Sequence, residues 1–276
     1  MLAGTTAATA QVTSASVEIH FIHDGQTIPE LAGYVTYRVY VNTEHADDFV
    51  SSLVGLEAGG GPCGVVPALS LQIANGSVYQ HGQGGCLPTN CPLAEYLEAL
   101  NYDSFLTIGT ECPVPGISDI NPLFDYFLGN ILSPATCTAF EAGNGFSDPE
   151  GALFTVQDFL NGWAGDDNKV LIAQFTTNAP WEFSFGIQGQ VNGTPGPANT
   201  FCFNGNVSSE DASFPGLECL YDFDSNGIVG YNDLLMLLTN GSCTDSECPG
   251  DLNGDMIYDY MEMVIFLGFY GTNCGG

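Results

Sequence analysis

The chain has 276 residues, 45% of them hydrophobic, which suits one large packed domain and a small one. Its 32 Asp and Glu face two cationic side chains, Arg38 and Lys169, for a formal charge of −30. Such a surface repels phosphate backbones and anionic lipid, which excludes nucleic-acid binding and nucleotide-phosphate chemistry. No run of 18 apolar residues offers a membrane span. The charge reads first as a solubility adaptation to salty water, where repulsion is screened, and second as a surface that collects divalent cations.

The N-terminal segment 1–11 carries Ala7-Ala8-Thr9-Ala10 before Gln11, the small-residue form of a signal cleavage site, and reads as a secretion remnant. Residues 16–23 alternate at period two, and 33–41 form a second β-branched and aromatic run. His20 and His23, three apart in a strand, point to opposite faces and make a poor chelating pair. Strands over 68–73 and 77–80 flank Asn75-Gly76, a two-residue hairpin signal. A helix is expected over 92–100, a short strand over 104–108 and a second helix near 122–128. Residues 169–177 and 183–191 read as a late strand pair joined by 178–181. The stretch 192–216 reads as a loop-rich boundary pinned by Cys202. Ten cysteines without a C-x-x-C pair, and only four His, point to disulfides in an oxidising compartment and away from zinc.

These elements predict a mainly β fold: an antiparallel β-sandwich, jelly-roll or Ig-like, over 12–216, followed by a small α-helical module over 217–276. A catalytic constellation is not visible. Asp47-Asp48 and Asp166-Asp167 read as turn residues, and no G-x-S-x-G elbow occurs. Trp163 and Trp181 are either sugar platforms or core.

The most specific feature is a calcium-loop pattern that occurs twice. The first copy runs from Asp222 to Asp233 and the second from Asp251 to Glu262, 29 residues later. A hard cation takes six to eight oxygens, which a twelve-residue loop supplies from positions 1, 3, 5, 7, 9 and 12. Both copies place Asp or Asn at 1, 3 and 5, Ile at 7 and a carboxylate at 12. Each is followed by an apolar helical run, 234–238 and 261–270, ending at Asn240-Gly241 and Gly271. No helix enters either loop, so the unit is loop–helix.

Two such repeats resemble the dockerin module, over residues 217–276 alone. The resemblance implies two Ca²⁺ ions. The first would be held by Asp222, Asp224, Asn226, the Ile228 carbonyl and Asp233. The second would be held by Asp251, Asn253, Asp255, the Ile257 carbonyl, Asp259 and Glu262. Met256 stands where the sharp turn favours Gly, which implies a weaker second site. The resemblance also points to Tyr231, Asn232, Tyr260 and Met261 as the residues facing a cohesin-like or cell-surface partner. The whole chain looks like secreted β-sandwich proteins of marine-bacterial type that end in a similar repeat, here residues 248–255.

Three function classes stay open: a secreted non-catalytic calcium-binding protein anchored by its tail, a glycoside hydrolase or other polysaccharide-binding module with that tail, and a self-assembling matrix or filament protein. Dockerin-like repeats pack about a pseudo-twofold axis, so the resemblance implies the pairs Cys243–Cys248 and Cys219–Cys274. The partners of Cys63, Cys86, Cys91, Cys112, Cys137 and Cys202 remain open. Peptide mapping under non-reducing conditions is expected to link Cys219 to Cys274, and a fragment linking Cys219 to Cys243 would refute the pairing.

Overall fold

The computed structural model describes residues 12–23, 25–88, 97–111, 128–213, 221, 223–224, 228–240, 252 and 258–271. The chain divides into two compact units, Met1–Ala212 and Ser213–Gly276. The segment 1–11, residues 92–96, 122–127 and the region around position 216 lie outside the described residues. So do Cys91, Cys112, Cys219, Cys243, Cys248 and Cys274.

The first unit opens with β1 (Ser14–Ile22), β2 (Val35–Asn42), β3 (Phe49–Val54), β4 (Leu56–Gly61), β5 (Gly64–Val66) and β6 (Leu69–Ile73). After 3-10 turns at Glu98–Tyr102 come β7 (Phe105–Leu106), β8 (Gly129–Asn130), the helix α1 (Pro134–Glu141), β9 (Phe146–Asp148) and β10 (Ala152–Phe154). Then follow β11 (Lys169–Thr177), β12 (Trp181–Gln190), β13 (Thr200–Ser208) and the short β14 (Ala212–Ser213). One sheet has the order β14-β1-β2-β11-β7, and a second runs β8-β10-β3-β12-β6-β9 with β13 also on β12. The strands β4 and β5 make a separate ribbon. Every strand pairing with a described register is antiparallel.

Alternation explains which faces are buried. Val17, Val39, Val41 and Phe175 of the first sheet share one hydrophobic core with Leu53, Leu69, Leu71, Phe183 and Phe185 of the second. Phe175 sits at its centre, with ring centroids 5.2 Å from Trp181 and 5.1 Å from Phe183. β11 is buried along nearly its whole length because its polar face is covered too. There, the Gln174 amide donates to the carbonyls of Asn101 (3.0 Å) and Asp103 (2.8 Å). Burial is tolerable on that face because each amide hydrogen finds an oxygen.

Three expectations need correction. Residues 77–80 do not fold back on β6, which pairs instead with β12 and β9. At Asn75-Gly76 the chain leaves the second sheet, and Val78 bridges Thr177 of the first. Likewise β11 and β12 lie in different sheets. Pro180, between them, has no N–H to offer a hairpin ladder, and its carbonyl accepts from Ala74 N instead (2.9 Å). The stretch 192–216 is not all loop: it contains the nine-residue β13. Its pinning holds, because Cys202 bonds Cys63. A second disulfide joins Cys86 to Cys137 of α1.

Asp103 organises the 81–85 turn from a buried position. Its carboxylate accepts from His81 N (2.8 Å) and Gly85 N (3.1 Å). Burial pushes its carboxyl up to about 6, against the downward pull of those N–H groups. A raised folded-state value means that the native state holds the proton more tightly. The contribution is therefore complete below the unfolded value of about 3.9 and is lost as pH rises through 6, a change of about 3 kcal/mol. Asp103→Asn keeps an acceptor oxygen and removes the titration. Urea unfolding followed by tryptophan fluorescence, which reports the first unit alone because both Trp lie there, should show the wild type losing stability relative to Asp103→Asn between pH 4 and 7. Parallel pH profiles would contradict the assignment.

Candidate metal centre

The second unit supplies α2 (Tyr231–Asn240) and α3 (Tyr260–Phe269). Each is ten residues long, and each begins at position 10 of its loop, 29 residues apart. Position 12 therefore falls in the first turn of each helix, as Asp233 and Glu262. Carboxylates are favoured there by the exposed N–H groups of the helix start.

Asp233 is fully buried. One of its oxygens accepts from Gly230 N (2.8 Å) and the other from Asp224 N (3.0 Å), so the carboxylate is folded back over its own loop. Each oxygen carries a further lone pair that can face a cation. Glu262 is fully buried as well. Its Oε2 accepts from Asp259 N (2.6 Å), and Asp259 accepts from Met261 N (2.8 Å), which makes a reciprocal capping box. The box fixes the orientation of the pair.

The electrostatics of this unit are one-sided. Residues 213–276 contain no Lys, Arg or His. Removing a carboxylate from water costs on the order of several kcal/mol unless an opposite charge or good hydrogen bonds replace the hydration. Two equivalent acids are buried here, and the sequence of this unit provides no cation for either.

Residues from the two repeats interlock. The carbonyl of Val229, position 8 of the first loop, accepts from Gly271 N just past α3 (2.8 Å). Tyr258, position 8 of the second loop, donates its hydroxyl to the Leu237 carbonyl of α2 (3.0 Å). Burial first, and the Glu262 carboxylate second, push the Tyr258 hydroxyl up. Between them lies a small core of Tyr221, Val229, Leu237, Ile265, Phe266 and Phe269, all buried. The Tyr221 ring lies 4.6 Å from Phe269.

Of the eleven expected ligands, Asp224 and Asp259 are half-buried, Ile228 is exposed, and Asp233 and Glu262 are buried. Asp222, Asn226, Asp251, Asn253, Asp255 and Ile257 lie outside the described residues, as does Met256. Among the described residues no group of three Asp, Glu, His or Cys converges on a point that could hold a metal. Of the residues expected to face a partner, Tyr231 (63% exposed), Tyr260 (71%) and Asn232 are open to solvent, and Met261 is half-buried.

One feature escaped the sequence reading. Tyr231, Leu235 and Leu238 are exposed on α2, and Tyr260, Val264 and Leu267 on α3. Both triplets have helical spacing i, i+4, i+7 and are related by the 29-residue repeat, so each helix shows the same apolar stripe. The one charged residue of each helix, Asp233 or Glu262, is on the buried side. The signal was available: neither helix has a charge to place on its outer face.

In the first unit several polar groups are tied into the fold. His23 Nε2 lies 2.8 Å from Thr36 Oγ1, which lies 2.7 Å from Thr176 Oγ1, and all three residues are buried. His20 is exposed and sits at a bulge in β1. Asp166 and Asp167 occupy the turn 165–168. Trp181 belongs to the core, and Trp163 packs on Phe49 at 5.0 Å while donating to the Phe159 carbonyl (3.2 Å). Neither ring forms an open sugar platform. A cleft of about 250 Å³ lies beside Gln72, Glu182, Ser208 and Glu210.

Comparison with protein-family models, with curated proteins and with solved structures returned no match.

Among the described residues the buried Tyr221 hydroxyl has no hydrogen-bond partner, and burial pushes it up to about 12. Deleting an unsatisfied buried hydroxyl should be neutral or favourable. Calorimetric melts of the full chain should therefore show Tyr221→Phe unchanged or more stable by up to about 1 kcal/mol, whereas Tyr221→Ala should lose about 3–5 kcal/mol, as for other large aromatic truncations. A marked loss in the Phe variant would reveal a hidden partner for the hydroxyl.

Proposed function

We propose that residues 217–276 are a dockerin-like docking module ordered by two calcium ions, and that it anchors a secreted, non-catalytic antiparallel β-sandwich to a cohesin-like or cell-surface partner. The carrying observation is the pair of fully buried carboxylates, Asp233 and Glu262, at equivalent positions in a unit whose sequence has no Lys, Arg or His. A divalent ion in each loop supplies the missing positive charge. The other ligands would be the loop oxygens at positions 1, 3, 5 and 7, joined by Asp259 at position 9 of the second loop and by a water where Gly230 stands in the first. In each loop the position-12 residue spans the two roles, because its backbone belongs to the helix and its carboxylate to the loop.

The apolar stripes on α2 and α3 give the partner its chemistry. Exposed Tyr, Leu and Val in a chain of charge −30 are costly for solubility unless something covers them. The partner surface is apolar at its centre, with basic residues at its rim to meet the acids of the loops. The sandwich reading of the first unit rests on the core shared by its two sheets. The two disulfides fit an oxidising environment, and secretion is the compartment that unites them with calcium at extracellular concentration.

Calorimetric titration of the full chain with calcium should show two sites, the second weaker. Asp233→Asn should remove the first and Glu262→Gln the second. At 100 times its Kd, each ion should add about 2.7 kcal/mol to the stability of this unit. No heat at millimolar calcium would sink the module assignment. A pull-down from secreted material should recover the partner with calcium and lose it with EGTA. It should also be lost in a chain carrying Leu235→Asp and Val264→Asp, and recovery undiminished in that variant would remove the stripes from the docking surface.

A further inference from the structure

Among the described residues, the edge strands of the two large sheets are blunted with one exception. β7, β8 and β14 are two residues long, and β9 is three. β1 is long, but it carries Glu18 and a bulge at His20. These are the devices by which soluble proteins keep sheet edges from pairing with other chains. β13 has none of them. It is nine residues long, Thr200-Phe-Cys-Phe-Asn-Gly-Asn-Val-Ser208, with no charge and no proline. Its register with β12 is continuous from Glu182–Ser208 to Gln190–Thr200, without a bulge. Every second residue of such a strand aims its N–H and C=O away from its neighbour. Among the described residues no backbone hydrogen bond reaches that outer edge. β1 runs near it in the other sheet without pairing to it.

We infer that β13 is a self-association edge, and that its occupant is β13 of a second copy of this chain. Antiparallel pairing of a strand with itself about a twofold axis is isologous, so one surface serves both partners. Full overlap of the nine residues sets the register, with Asn204 opposite Asn204 of the second copy. Cys202 then faces Asn206 and Thr200 faces Ser208 on the exposed side. On the other side Phe201 faces Val207, and Phe203 faces Gly205. No like charges meet, although the chain as a whole is strongly acidic. Glu210 and Asp211 begin only after the strand has ended. Aromatic and β-branched pairs of this kind are the favourable cross-strand pairs of antiparallel sheets. A charged partner finds nothing to recognise along this edge, whereas a second copy matches it position by position. The two copies would form one continuous sheet through β12–β13–β13–β12, with the Cys63–Cys202 disulfide fixing the strand on each side. Neither calcium nor the stripes of the second unit enter into this pairing.

Sedimentation equilibrium of the full chain over a range of concentrations, at moderate salt, tests it. The mass should rise from the 29.2 kDa of one chain toward twice that value, equally with and without EDTA. Asn204 is exposed, so Asn204→Lys should leave the monomer folded and place Lys opposite Lys, returning the mass to one chain. Asn204→Asp should do the same. Mixing the two variants should restore the dimer, because the central pair is then of opposite charge. A chain that stays monomeric at all concentrations would overturn the inference. So would a dimer that survives Asn204→Lys, a dimer lost on chelation, or a failure of the mixed variants to associate.

Discussion

Thirty-two carboxylates share two cationic side chains in this chain, so most acids that leave water must be satisfied by backbone N–H groups, by hydroxyl side chains or by an ion from outside. The first unit uses both cations itself: Lys169 holds Glu18 at 2.6 Å, and Arg38 holds Glu111 at 2.7 Å. Its remaining buried acids are held by N–H groups. Asp48 accepts from His45 and Asn192, Asp103 from His81 and Gly85, and Asp148 from Ser133 and Glu150. The second unit has no cation, yet it buries two acids. The proposed calcium sites follow from that imbalance together with the loop spacing.

These acid-to-backbone links also do much to order the loops. Asp48 ties the turn before β3 to the end of β12, 144 residues away in sequence. Asp148 receives the Ser133 N–H and the Thr136 hydroxyl, which holds the start of α1 against β9. In a Gly-rich chain whose loops carry few large side chains, a carboxylate that binds two N–H groups fixes a turn as a small apolar cluster would elsewhere. The two disulfides act at longer range: Cys63–Cys202 attaches the β4–β5 ribbon to β13, and Cys86–Cys137 attaches the 81–88 segment to α1.

The long strands were legible because period-two alternation of Val, Ile, Phe and Tyr has few other readings. β1, β2, β11 and β12 fall within about two residues of the expected ranges. β13 was not legible, because Gly and Asn read locally as turn residues. In the folded chain Gly205 makes room instead: a Cβ there would lie 2.3 Å from the Phe185 ring, so the glycine admits an aromatic side chain from β12. Gly189 does the same for Phe201. Strand pairing is not legible at 74–80 and 178–181, since a turn signal does not say which sheet the chain enters next. α1 escapes notice for its shortness, although Ser133-Pro134 is a sound start signal: the Ser133 hydroxyl accepts from Thr136 N. In the second unit the loop repeat placed both helices, although they begin three residues and one residue before the expected runs 234–238 and 261–270, and the outward stripe follows from the same repeat.

The placement of Arg38 and Lys169 bears on resistance to proteolysis. Proteases that cut after basic residues have only these two bonds to attack. Arg38 lies inside β2, which is paired on both sides, and Lys169 begins β11, whose first residue pairs with Asn42 of β2. A protease must draw an extended segment of substrate into its cleft, so neither bond can be cut while the sheet is intact. Digestion by such an enzyme waits for the first sheet to open, and the rate of cleavage becomes a measure of how often that sheet comes apart.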